Sequence, residues 1–282
     1  MSQAERTRSA AFGYAMVSGS FLLVGLSDTL VKWATAPPGL LLVLRFGIAA
    51  VAIGVALGRR RRLVCLLDCG LWPRLLVMGA FFFIQPVWIA LLAPRLLHSP
   101  TERVVYVAIG LALAGLAIIL VPALSGDGLH ASVLGLVAGL LSGFSYAGFA
   151  LVVKYLSGRV DSGTMVLSEC TLDCLFLLPL ALWQTLGAGY SLTGRDLLVA
   201  LVLGLVCTAL AYTLWMEGVR WVRMQHSAVL GFLAPVAAPI YALLLLGQSI
   251  TVWTAAGGAL ILIAGILVVL RGQEDLDSEV PL

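Results

Sequence analysis

The sequence predicts an all-α polytopic membrane protein built as two tandem inverted repeats, and three observations carry that prediction. Only 11% of the 282 residues are charged and 61% are hydrophobic, whereas a soluble domain carries about 25% charged residues. The apolar residues fall into stretches of about 20, the length that crosses roughly 30 Å of hydrocarbon as a helix. Features of the first half also recur in the second. An ordinary soluble enzyme, a nucleic-acid binder and a disordered chain are excluded, since each needs far more charge.

Nine apolar stretches are visible. The first covers about 12–33 and stops at Pro37-Pro38-Gly39; the second covers 40–57 and ends in the arginine run Arg59–Arg62. The third, 71–97, contains Pro86 and Pro94, and the fourth is 104–121. After the polar loop Ser125-Gly126-Asp127-Gly128 come 134–155, 164–183, 197–217, 227–246 and 252–270. Residues 1–124 form a first unit with four visible helices, 131–271 a second with five, and 272–282 a short acidic tail.

The repeat is read from offsets. Gly13 and Lys32 recur as Gly135 and Lys154, 122 residues on, while Pro86 in Gln-Pro-Val recurs as Pro235 in Ala-Pro-Val, 149 residues on. The difference of 27 is about one helix with its loop, so the helix at 197–217 has no counterpart in the first half. A five-helix unit places its sequential copy upside down, as in many secondary transporters. Positive groups at stretch ends (Arg6 and Arg8, Arg59–Arg62, Lys154, Arg159, Arg220, Arg223, Arg271) put the amino terminus on the cytoplasmic side. Stretch 71–97 has arginines at both ends, which leaves three readings: one badly flanked span, a re-entrant element, or a chain short of one helix.

Charged groups inside apolar stretches are functional candidates by default. Arg45 lies a few residues into the second stretch, while Glu169 and Asp173 stand four apart on one face of the sixth. If those helices are repeat partners, the three flank one cavity suited to a zwitterionic solute. The same cavity is expected to take Gln85, Trp88, Tyr146 and Phe232, with Pro86 and Pro235 as helix bends. Glu217 and His226, near the inner mouth, and Asp28 and Lys32, near the outer end of the first stretch, are candidates for a proton relay or gate. For each, solvation at a helix end is the plainer alternative. Gly135, Gly139 and Gly143 form overlapping GxxxG steps for close packing. The five cysteines read as free thiols, and no metal, cofactor or catalytic motif is expected.

In its order of motifs the chain resembles the drug/metabolite transporter superfamily, specifically the EamA type. The residues that carry the resemblance are Arg45, Gln85-Pro86-Val87-Trp88 followed by Ala90-Leu91-Leu92-Ala93-Pro94, Ala234-Pro235-Val236 followed by Leu243–Gly247, and the Ala-Gly pairs at 114–115 and 264–265. The resemblance implies ten helices, against which the third helix of the first repeat is missing. It also implies secondary transport, as an exporter, of a small metabolite such as an amino acid, by alternating access between the repeats. The family's Gly-Glu pair reads His98-Ser99 and Gly247-Gln248 here. A multi-pass protein of a bacterial inner membrane follows, monomeric or homodimeric, with lipid and a small-molecule substrate as partners, no nucleic acid and no cofactor. A non-transporting scaffold is the competing reading.

Overall fold

A computed structural model describes residues 3–59, 103–124, 146–188 and 190–278. Its described helices are α1 (Gln3–Val31), α2 (Pro38–Arg59), α3 (Arg103–Leu124), α4 (Tyr146–Leu156), α5 (Ser162–Ala188), α6 (Gly194–Gly218), α7 (Met224–Leu246) and α8 (Val252–Ser278). The third apolar stretch with Gln85, Pro86 and Trp88, the loop at 125–128 and the Gly135, Gly139, Gly143 face lie outside these residues.

The expected count of nine spanning segments requires correction. Among the described residues there are eight helices, and six are long and apolar enough to cross a membrane: α1 from Ala10, α2, α5 as far as Thr185, α6, α7 and α8 as far as Leu270. The described part of α4 is Tyr146–Leu156, eleven residues that begin at the edge of the described region. In α3 the apolar stretch Arg103–Ile119 lies within a helix of 22 residues, Arg103–Leu124. Apolar composition alone had counted both as spans.

Two helices are not uniform. α6 is α-helical over Gly194–Gly204, widens to a π-turn over Leu205–Leu210, and resumes as Ala211–Gly218. α7 is broken at Gly231–Phe232 into Met224–Leu230 and Leu233–Leu246. The break lies four residues before Pro235, whose ring excludes the carbonyl of Gly231 and which has no N–H to bond it; Ala234 N–H donates to that carbonyl at 3.2 Å instead.

α2 pairs with α5, and α3 with α8, while α1, α6 and α7 pack between these pairs. One core cluster, including Tyr14, Phe46, Phe149, Met165 and Trp215, joins α1, α2 and α4–α7. A second lies between α3, α7 and α8, and a third between α1, α2 and α6. α3 and α8 cross at Gly115 and Gly257, where a Cβ on Gly115 would stand 2.5 Å from the Gly257 carbonyl oxygen, so only glycine admits this approach. Large apolar side chains point outward all round the bundle. Trp183, Leu244 and Val252 are each at least 70% exposed, which is favourable only in contact with lipid.

Candidate functional site

The site begins with an arginine that burial makes expensive and the fold therefore binds. Arg45, half-buried on α2, donates from Nε to Thr208 Oγ1 at 2.5 Å, from Nη1 to Ser27 Oγ at 3.2 Å and from Nη2 to the Cys207 carbonyl at 3.4 Å. Two of these acceptors exist because α6 is a π-turn here. The widened turn disturbs the regular i→i−4 ladder, so Thr208 Oγ1 donates to the Leu203 carbonyl at 2.9 Å and the Cys207 carbonyl turns to the guanidinium. Gly204 lets α2 approach this closely. A Cβ there would meet the Arg45 carbonyl oxygen and Ile48 Cβ, each at 2.8 Å.

Beside Arg45 opens a cavity of roughly 880 Å³, within the range of small-molecule sites. Its charged lining is Asp28 from α1, Arg45 from α2, and Glu169 and Asp173 from α5. Its aromatic wall includes Phe21, Phe46, Tyr146, Phe149, Tyr212 and Trp215. The last of these is firmly held: Trp215 stacks on Phe149 with centroids 5.7 Å apart, lies 6.2 Å from Tyr146, and donates from Nε1 to Ser227 Oγ at 3.0 Å. Glu169 is 1% exposed, and among the described residues neither carboxyl oxygen has a hydrogen-bond partner. Such a group costs several kcal/mol of burial, so its position calls for an explanation outside stability.

A second cavity, of roughly 360 Å³, lies between α1 and α7 and is lined by Asp28, Thr29, Lys32, Pro235, Gln248 and Thr254 among others. Asp28 therefore faces both cavities. Lys32 Nζ donates to Gln248 Oε1 at 3.4 Å, and Thr29 Oγ1 to the Ala238 carbonyl at 3.2 Å.

Of the residues singled out in the sequence, Arg45, Glu169, Asp173, Tyr146 and Asp28 come together at the larger cavity, and Asp28, Lys32 and Pro235 at the smaller. Phe232 is not brought there; it packs with Val105, Ala108 and Ile261 between α3, α7 and α8. Glu217 is taken up by Arg220, at 2.9 Å, and by the Ser162 hydroxyl, at 2.6 Å. His226 is buried rather than solvated, with Nδ1 2.5 Å from the Tyr14 hydroxyl. Among the described residues no group of three or more His, Cys, Asp or Glu is placed to hold a metal ion.

Residues 133–271 match the EamA-like transporter family. Over that second half the chain is similar to EamA-like transporters. It is 28% identical over 192 residues to an uncharacterized transporter of Archaeoglobus fulgidus, covering 67% of this chain and 64% of that one. It is also 28% identical over 137 residues to the uncharacterized transporter YwfM of Bacillus subtilis, covering 49% of this chain and 45% of that one. The chain thus spans between about half and two thirds of the length of these curated relatives. A solved crystal structure superposes with a TM-score of 0.71 at 18% identity, over 95% of this chain and 99% of that one, a likeness of fold. Sequence reading missed Ser27, Thr208, Tyr212 and Trp215 at the site. Ser and Thr are unremarkable in an apolar helix, and nothing in Leu205–Leu210 announces a π-turn.

At one end of the bundle, Asp196 ties two loops together. Its carboxylate accepts from the backbone N–H of Thr35 at 2.7 Å and of Ala36 at 3.1 Å, and from the Tyr190 hydroxyl, while Thr193 and Asp196 form a capping box at the start of α6. By accepting the Tyr190 proton, Asp196 holds that phenol above its ordinary pKa.

Proposed function

We propose that the protein is a secondary transporter that carries a small organic solute with an ionised group across the membrane, using the larger cavity as its binding site. One observation carries this reading: Glu169 is buried without a hydrogen-bond partner on the wall of a cavity that Arg45 also lines. A scaffold would gain nothing from that burial, whereas a bound solute supplies the missing partner. The match of residues 133–271 to the EamA-like transporter family and the relatives named as transporters support the same reading. The packing also suits alternate opening, since the α2–α5 and α3–α8 pairs meet mainly through α1, α6 and α7.

The test is transport in proteoliposomes with a panel of labelled amino acids and amines, comparing wild type with Arg45→Ala and Glu169→Gln at matched protein content. Wild type is expected to carry at least one solute and both variants to lose most of that flux. Equal flux in all three sinks the residue roles, and no flux for any solute favours the scaffold.

A further inference from the structure

We infer that the larger cavity is specific for organic amines, protonated cations with an apolar or aromatic body, rather than for zwitterions or carboxylates. This rests on the transporter reading only in assigning the cavity to a solute.

The inference comes from counting donors and acceptors. Among the described residues, three carboxyls, Asp28, Glu169 and Asp173, line the cavity against one guanidinium. The guanidinium is already engaged: each of its three nitrogens donates to an uncharged acceptor, Thr208, Ser27 or the Cys207 carbonyl. Arg45 is therefore held as part of the wall, three of its five N–H groups spent. The Glu169 oxygens, by contrast, have no donor. A ligand that completes this site must bring N–H groups and positive charge.

A carboxylate on the ligand would meet the opposite situation, with three carboxyls around it and an arginine whose geometry is committed elsewhere. Like charges at such a site disfavour it. The rest of the wall sets the ligand's body. Aromatic faces from α1, α2, α4 and α6 converge on the cavity, favouring stacking and cation–π contact with an ammonium group. The site is more than an acidic cluster, because a fully buried, unpartnered carboxyl lines a cavity of ligand size.

Three probes share one phenyl body and differ in charge: phenethylamine, L-phenylalanine and 3-phenylpropionate. Binding of each to the purified full-length protein in lipid nanodiscs is measured by isothermal titration and by thermal shift. Phenethylamine is expected to bind at least tenfold tighter than the other two. Glu169→Gln and Asp173→Asn should each reduce its affinity tenfold or more, and Asp28→Asn, which lies between the two cavities, provides a further variant should either fail to fold. Equal or tighter binding of phenylalanine or phenylpropionate overturns the inference, as does failure of all three to bind. Flux of the same probes separates the two claims. Amine binding without flux leaves the site specific and removes the transporter, while phenylalanine flux without amine preference leaves the transporter and removes the specificity.

Discussion

Gly204 offers a direct test of how the site is held. In Gly204→Ala the new Cβ would stand 2.8 Å from both the Arg45 carbonyl oxygen and Ile48 Cβ. Relief to an ordinary contact near 3.4 Å requires α2 and α6 to separate by about 0.6 Å, because both obstacles are helix backbone or a branched Cβ and neither swings aside. Overpacking of this kind costs about 1–3 kcal/mol. Alanine also gains roughly 1 kcal/mol of helix propensity over glycine, so the comparison should be with a glycine that has space. Gly110 on α3 is such a position, with nothing among the described residues within 4 Å of an added Cβ. Both variants gain the same propensity and their difference isolates the clash. At about 2 kcal/mol, and some 2–4 °C per kcal/mol for a chain of this order, Gly204→Ala should melt about 4–8 °C below Gly110→Ala in a thermal unfolding scan of purified protein. It should also weaken amine binding, since the Arg45–Thr208 bond spans the same gap. A Gly204→Ala protein that melts with or above Gly110→Ala would show that α2 and α6 are not packed as described.

Other sites give shorter tests. Lys154 Nζ donates to the carbonyls of Val219, at 2.5 Å, and Val222, at 2.7 Å; Lys154→Met leaves both without that donor and should cost about 1.5–3 kcal/mol, read as a lower melting temperature. An unchanged temperature would mean those carbonyls find water. Tyr14→Phe removes the hydroxyl that meets His226 and should destabilise by about 1–3 kcal/mol, with no loss if the imidazole repartners. Tyr190 titrates above its ordinary value because Asp196 accepts its proton, so its contribution to stability is complete below about pH 10, the unfolded phenol value, and fades as pH rises through the raised pKa. Ultraviolet difference titration of wild type against Tyr190→Phe isolates this group. Asp196→Asn should bring its pKa down, and an unmoved titration would assign the shift elsewhere.

Much of the site was legible because charge is rare in this chain. Arg45, Glu169 and Asp173 stand out against leucine and phenylalanine, and helical spacing alone puts the two acids on one face. Asp28 was visible for the same reason, but its position between two cavities depends on where α7 breaks. The span count was less legible: composition marks nine stretches as apolar, whereas the described residues hold six helices that are both long and apolar enough to cross a membrane. His226 and Phe232 illustrate a second limit. Both lie near the ends of a short helical piece, and the sequence does not say which neighbour will cover them. The tyrosine that meets His226 is 212 residues away, a separation no local pattern encodes. Asp196 stands at the third position after its Thr193 cap, a place its sequence neighbours explain, while its ties to Thr35 and Ala36 come from packing.

The π-turn in α6 also sets the angular register of everything beyond it. A π-turn holds one residue more than an α-turn, and one residue of α-helix is about 100° of rotation. Counted at 3.6 residues per turn from Gly194, the second half of α6 would be out of phase by about that angle, and Tyr212 and Trp215 would be assigned to a different face from the one on which they line the cavity. Relatives with one residue fewer between the counterparts of Leu203 and Tyr212 would present other side chains to the same space while keeping every helix in place. A single-residue change in length can therefore redraw the cavity wall without altering the fold.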